Sequence, residues 1–136
     1  MKKEEFYKEA RQDLTGPLDG VRVLEATTTW AGPMCAAVLA DLGADVIKVE
    51  IPSGDVGRAI SPMLPGTDVS FMHATVNRNK RSLSIDVRSE EGKNIFLNLA
   101  TESDIVVENF KVGTMSGYDL GYEDVRKVKP DFIYVS

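Results

Sequence analysis

Apolar, β-branched runs alternate with amphipathic helical patterns along this sequence, and two of the runs flank a helical stretch within about thirty residues, the length of a βαβ unit. Together these predict an α/β fold, a mostly parallel sheet flanked by helices. The 136 residues fit one domain, at a size where about two thirds of the unfolded chain's surface becomes buried. With 43% apolar and 27% charged residues, the composition is that of a soluble globular domain. No apolar run approaches the roughly 18 residues a membrane span requires, so no membrane partner is expected.

The elements follow in order. Phe6, Ala10 and Leu14 recur at four-residue spacing, so residues 1–15 read as an N-terminal helical extension, ahead of a domain portion at residues 16–136. After the turn signal Gly16-Pro17-Leu18-Asp19-Gly20, residues 21–26 are short and β-branched and form the first strand. Ala31-Gly32-Pro33 opens a helix with proline in its first turn; Val38, Leu39 and Leu42 supply its buried stripe and Gly43 its C-cap. Residues 45–50 form the second strand, parallel to the first.

From residue 51 to about 76 the periodicity fails, and Pro52, Gly54, Gly57, Pro62, Pro65 and Gly66 mark a long loop of the kind that is functional or disordered. Residues 82–86 are the third strand, and Ser89 caps a helix carrying Ile95, Phe96, Leu99 and Ala100. A fourth strand at residues 104–108, a helix at 122–129 stopped by Pro130, and a last strand at 132–135 complete the pattern. A chain that stops on a strand is expected to be a portion of something longer.

Sixteen basic and 21 acidic residues give a net charge of −5, which argues against general nucleic-acid binding, since that depends on phosphate neutralisation. One cysteine and one histidine leave no disulfide and no zinc spacing, so no metal is expected. The charged first eleven residues lack a signal-peptide core, which makes the cytoplasm the expected compartment.

Open α/β sheets bind ligands beyond the carboxyl ends of their strands, so the strand-end loops are the candidate sites. The first, Thr27-Thr28-Thr29-Trp30-Ala31-Gly32-Pro33, lacks the Gly-x-Gly-x-x-Gly fingerprint but leaves helix N–H groups free for an anion and offers Trp30 as an apolar wall; a polar turn with a packed Trp30 is the plain alternative. Asn77-Arg78-Asn79-Lys80-Arg81, with Arg88 beyond the following strand, reads as a phosphate receptor or as a solvated basic turn. Glu108-Asn109-Phe110-Lys111 could read an adenine or ribose phosphate, or cap the next turn. Cys35 reads as buried and inert, His73 as structural or merely exposed, and Asp41, Asp45, Glu50 and Asp86 show no pairing for acid/base work.

Read together, these segments carry a resemblance. The run from Gly16 through Glu25, Ala31-Gly32-Pro33, Leu39 through Glu50, Gly54-Asp55, Asn77 through Ser82, Asp86, Glu91-Gly92 and Asp104 through Phe110 resembles, in order and spacing, the start of the family III CoA-transferases. That family includes formyl-CoA:oxalate and carnitine CoA-transferases and, as relatives, the α-methylacyl-CoA racemases. The resemblance covers residues 16–136 and implies a Rossmann-like, CoA-binding N-terminal portion of a longer chain that forms an interlocked homodimer.

By position, it implies CoA contacts at Thr29 and Trp30, along Ile85, Asp86, Val87 and Arg88, and at Glu108, Asn109, Phe110 and Lys111. In an otherwise acidic chain, Arg78, Lys80 and Arg81 are read together with Arg88 and Lys111 as a local receptor for the CoA phosphates. Acyl-CoA and a carboxylic acid are the implied substrates. The family's nucleophilic aspartate would lie beyond Ser136, so no catalytic residue is assigned in this chain. Ile51 and Gly117 replace basic residues of other members, and Trp30 stands where the formyl enzyme has Gln, which implies a different acyl pocket. Asn109 favours a transferase over a racemase, which usually has Pro there; a non-catalytic CoA-binding or assembly fragment is the third alternative.

Overall fold

A computed structural model describes residues 16–136; the helical extension expected at residues 1–15 lies outside the described residues. Five strands form one sheet: β1 (Arg22–Ala26), β2 (Asp45–Glu50), β3 (Arg81–Ser84), β4 (Ile105–Glu108) and β5 (Ile133–Val135). Their order is β3-β2-β1-β4-β5, and every pairing is parallel, with Leu24 level with Ile47 on one side and Val106 on the other. The α/β, Rossmann-like architecture expected from the sequence is therefore the one observed. Strand order reverses at β1, so the gap beyond the carboxyl ends of β1 and β4 is the topological switch point.

Helices α1 (Ala31–Asp41) and α2 (Phe71–Val76) touch each other, and α3 (Glu90–Thr101), α4 (Thr114–Gly117) and α5 (Tyr122–Val128) follow along the described residues. Val23, Val46 and Val107 meet Ala36, Ala40 and Ala44 in one apolar layer. On the opposite face Leu24, Val49 and Val106 pack against Phe96, Ala100, Leu120 and Val125. Phe96 is wholly buried, and burial of a side chain that size contributes on the order of 2–3 kcal/mol.

Ser89 caps α3 as expected, accepting from the Gly92 amide at 3.0 Å. Gly43, at φ +104°, closes α1 with its amide on the Ala40 carbonyl at 3.0 Å and the next amide on Leu39 at 3.1 Å, a left-handed termination that glycine adopts without strain.

Three expectations are corrected. The stripe of α1 that meets the sheet is Gly32, Pro33, Ala36, Ala37 and Ala40, while Val38 and Leu42 are largely exposed. Small side chains let the helix approach the strands closely, and the larger apolar residues fall on its other side. Ile95 of α3 is exposed for the same rotational reason, since Gly92, Phe96 and Ala100 define the buried line. Cys35 is exposed rather than buried. The irregular stretch at residues 51–76 holds two short helical pieces, a 3₁₀ turn (Val56–Ala59) capped by Asp55 and α2 capped by Ser70.

Candidate functional site

The β1–α1 loop stands at the switch point and is gripped from both sides. Toward β4, the Thr28 amide donates to Asn109 Oδ1 at 2.8 Å and Asn109 Nδ2 donates to the Thr28 carbonyl at 2.9 Å. Toward the long loop, Asp55 Oδ1 accepts from the Thr28 hydroxyl at 2.9 Å and the Thr29 amide at 3.1 Å. Thr29 is left-handed, with φ +69°, a conformation uncommon and strained for a β-branched residue. Trp30 then precedes α1 with its ring half exposed at 50%. The packed indole of the plain alternative is not what forms.

Close approach of α1 to these loops depends on Gly32. A Cβ there would lie 2.6 Å from Thr27 Cγ2 and 2.9 Å from Asn109 Cγ, well inside contact distance.

Beyond the strand ends opens a cleft of about 260 Å³, lined by Ala26, Thr27 and Thr28 of the first loop, Val49 to Ile51 after β2, Gly54 to Val56, Ile85 and Val87 after β3, and Phe110 after β4. Its walls are mainly apolar. All three strand-end segments expected from the sequence converge here, with Ile85, Val87 and Phe110 in the lining and Asp86, Arg88, Glu108, Asn109 and Lys111 as their immediate chain neighbours. Glu108 is buried and its Oε2 accepts from the Phe110 amide at 2.7 Å, which turns the chain at the end of β4. Arg88 and Asp86 form an exposed pair at 2.7 Å; each guanidinium or carboxylate favours the charged form of the other, lowering the Asp86 pKa and raising that of Arg88.

The basic run is divided rather than gathered. Arg78 forms a two-pronged pair with Asp41 at the end of α1, and Arg81 pairs with Asp45 at 2.6 Å. Both acids lie at the amino end of the sheet, opposite the cleft. Lys80 is buried, with Nζ 2.7 Å from Glu25 Oε2 and 2.7 Å from the Pro33 carbonyl. Burial lowers its pKa, against the attraction of Glu25.

Beneath the loop lies a charge network that sequence reasoning missed. Glu25 and Lys48, 0% and 2% exposed, meet at 3.2 Å, and Lys48 Nζ also lies 3.0 Å from Asp55 Oδ2 and from the Thr27 carbonyl. Burial opposes ionisation of Asp55, but the amides of Gly57 and Thr29 and the Lys48 ammonium outweigh it and bring the carboxyl down to about 2. Glu50 is likewise held ionised against burial, by a two-pronged Arg58 at 2.8 Å and by the Asp55 amide. His73 is buried nearby; desolvation, reinforced by Arg58, lowers its pKa. A signal was present in the sequence: Glu25 lies between Leu24 and Ala26, and Lys48 between Ile47 and Val49. A charge inside a strand covered on both faces calls for an opposite charge on the neighbouring strand.

Comparisons with known proteins bear on the family and the fold. The model of CoA-transferase family III matches residues 18–136. Succinyl-CoA:mesaconate CoA-transferase of Haloarcula hispanica is 48% identical over 124 residues, 89% of this chain and 31% of that protein. Human succinyl-CoA:glutarate CoA-transferase is 42% identical over 121 residues, covering 88% and 27% of the two chains. The crystal structure of a CAIB/BAIF family protein from Brucella suis superimposes with a TM-score of 0.83 at 42% identity, over 89% of this chain and 33% of that one. The chain thus spans under one third of the length of these curated relatives.

Proposed function

This chain belongs to CoA-transferase family III, and from that premise we propose that it supplies the acyl-CoA-binding portion of an enzyme that moves CoA from an acyl-CoA donor to a carboxylic acid. The observation that carries the reading is the convergence of three strand-end segments on one apolar cleft at the switch point. CoA requires both an apolar surface and neutralisation of its phosphates. Ile85, Val87 and Phe110 offer the first, and the exposed Arg88 and Lys111 beside them offer the second. Thr29 and Trp30, which follow the cleft-lining Thr28 in the same loop, are proposed to serve the acyl end.

In this reading an aspartate outside the chain attacks the thioester carbonyl. The C–S bond breaks, CoA leaves as thiolate, and an aspartyl anhydride forms; the thiolate then attacks the aspartyl carbonyl and releases the donor acid, leaving aspartyl-CoA. The acceptor carboxylate takes up the CoA by the reverse sequence. The residues described here bind and orient, and none is assigned as a nucleophile. The full-length protein is proposed to act in the cytoplasm as an interlocked homodimer.

The test is to incubate the natural gene product with succinyl-CoA and a panel of carboxylic acids, then trap with hydroxylamine. New acyl-CoA together with an aspartyl hydroxamate supports transfer. Exchange of the α-proton of a 2-methylacyl-CoA without transfer supports the racemase alternative, and CoA binding with neither supports a non-catalytic role.

A further inference from the structure

Asp55 sits where three segments meet. Oδ1 accepts from the Thr28 hydroxyl at 2.9 Å, the Thr29 amide at 3.1 Å and the Gly57 amide at 2.8 Å. Oδ2 faces Lys48 Nζ at 3.0 Å, and the residue's own amide donates to Glu50 Oε2 at 3.0 Å. Its side chain is only 1% exposed. With Oδ1 taken by three donors of the protein and Oδ2 buried against the Lys48 ammonium, Asp55 acts through what it holds.

What it holds is a strained loop. Thr29 keeps φ +69° although it is β-branched, and a residue in that region persists only where its surroundings over-determine it. Asn109 binds Thr28 from one side but makes no bond to Thr29; the Thr29 amide is fixed by Asp55. Trp30, the next residue, has no side-chain cap bond and is half exposed, so its place, two residues beyond the cleft-lining Thr28, depends on the backbone that Asp55 orders.

Behind Asp55 the charges alternate. Lys48 lies between Asp55 and Glu25, and Glu25 between Lys48 and Lys80. This ties the carboxylate to strands β1 and β2 of the sheet.

We propose that Asp55 is a positioning residue that sets Thr29 and Trp30 for acyl-CoA binding by tying the β1–α1 loop to Lys48 of the central sheet. The ligand half of this assignment rests on the acyl-CoA reading of the cleft.

Trp30 is the one tryptophan of these 136 residues, so in the natural protein, with any tryptophan elsewhere replaced by phenylalanine, its fluorescence anisotropy reports the loop directly and without activity. Asp55→Asn keeps an acceptor toward the amides and removes the charge opposite Lys48, and Asp55→Ala removes both. In the full chain, time-resolved anisotropy is expected to show faster local rotation of Trp30 in the order wild type, Asp55→Asn, Asp55→Ala, with far-UV circular dichroism unchanged. Calorimetric titration with CoA is expected to give a dissociation constant raised by about tenfold in Asp55→Ala and less in Asp55→Asn, the scale of one lost charge-assisted hydrogen bond. Unchanged Trp30 rotation and unchanged CoA affinity in both variants overturn the proposal. If the alanine variant fails to fold, the asparagine variant decides by the same two readouts. If the wild-type chain does not bind CoA, the acyl-CoA reading falls, while faster Trp30 rotation in Asp55→Asn still upholds the clamp.

Discussion

Thr28 and Asn109, 81 positions apart, bind each other as two backbone units would: the Thr28 amide donates to Asn109 Oδ1 and the Thr28 carbonyl accepts from Asn109 Nδ2. The side-chain amide of Asn109 thus extends the β1–β4 pairing past Ala26 and Glu108, where the ladder ends. Both ends of that amide are used inside the protein.

Removing it should therefore leave two polar backbone groups of a half-buried residue without partners. Asn109→Ala is expected to destabilise the fold by about 2 kcal/mol, the loss of two neutral hydrogen bonds. Urea denaturation followed by circular dichroism measures this, and a change below about 0.5 kcal/mol, the lower limit for a single bond, would mean that water replaces the amide.

Two glycine-to-alanine changes should have opposite outcomes. At Gly32 the added Cβ would meet Thr27 Cβ at 2.7 Å and Asn109 Cγ at 2.9 Å, neither of them the far end of a flexible chain. The first turn of α1 must then lift off the strand-end loops, at a cost of about 1–3 kcal/mol. Gly117, at the end of α4, has nothing within 4 Å and no left-handed φ, so Gly117→Ala should be neutral or stabilising by up to about 1 kcal/mol. Thermal or urea unfolding of the two variants side by side checks the contrast.

The buried charges predict a particular acid response. Asp55 has its pKa lowered from 3.8 to about 2, so its contribution is fully present above the unfolded value and is lost as pH falls through about 2. A shift of that size corresponds to about 2 kcal/mol. Stability measured by urea midpoint should hold from neutral pH to about 4 and fall between about 4 and about 2, and Asp55→Asn should flatten that part of the profile. Lys48→Met removes the cation between two buried carboxylates, for which about 3–5 kcal/mol is the scale, and should move acid unfolding to higher pH. An unmoved profile in both variants would show that Asp55 is not held ionised by its neighbours.

Much of this molecule was legible because period and punctuation agree. The short β-branched run at residues 21–26 and its parallel partner at 45–50 marked strands, and Ser89 and Gly43 marked helix ends by local chemistry that tertiary contacts did not overrule. Local patterns could not distinguish two apolar sides of one helix: in α1, packing distance chose the alanines over Val38 and Leu42. The strand-end loops were found because topology alone directs them to one crevice. The basic run was harder to place. Arg78, Lys80 and Arg81 are neighbours in sequence, yet the side chains of Arg78 and Arg81 run to acids at the amino end while that of Lys80 turns inward to Glu25. Charge counting along the chain does not contain that divergence, because the partners Asp41, Asp45 and Glu25 come from α1, β2 and β1.

That division makes the phosphate receptor testable residue by residue. Arg88 and Lys111 are exposed at the carboxyl end, next to cleft-lining Val87 and Phe110, whereas Arg81 is paired with Asp45 at the other end of the sheet. CoA carries its charge on phosphates, so each cation that reaches them should add a charge-assisted contact, weakened by solvent and salt at an exposed rim. Arg88→Ala and Lys111→Ala are accordingly expected to weaken CoA binding by roughly three- to tenfold each at low ionic strength, with the difference from wild type shrinking as salt is added. Arg81→Ala removes a surface pair worth no more than about 1 kcal/mol, so it should lower stability slightly and leave CoA affinity where it was. Calorimetric titrations at two salt concentrations decide between the two ends. A loss of affinity in Arg81→Ala equal to that in Arg88→Ala would mean that CoA reaches across the edge at β3 instead of lying over the switch point.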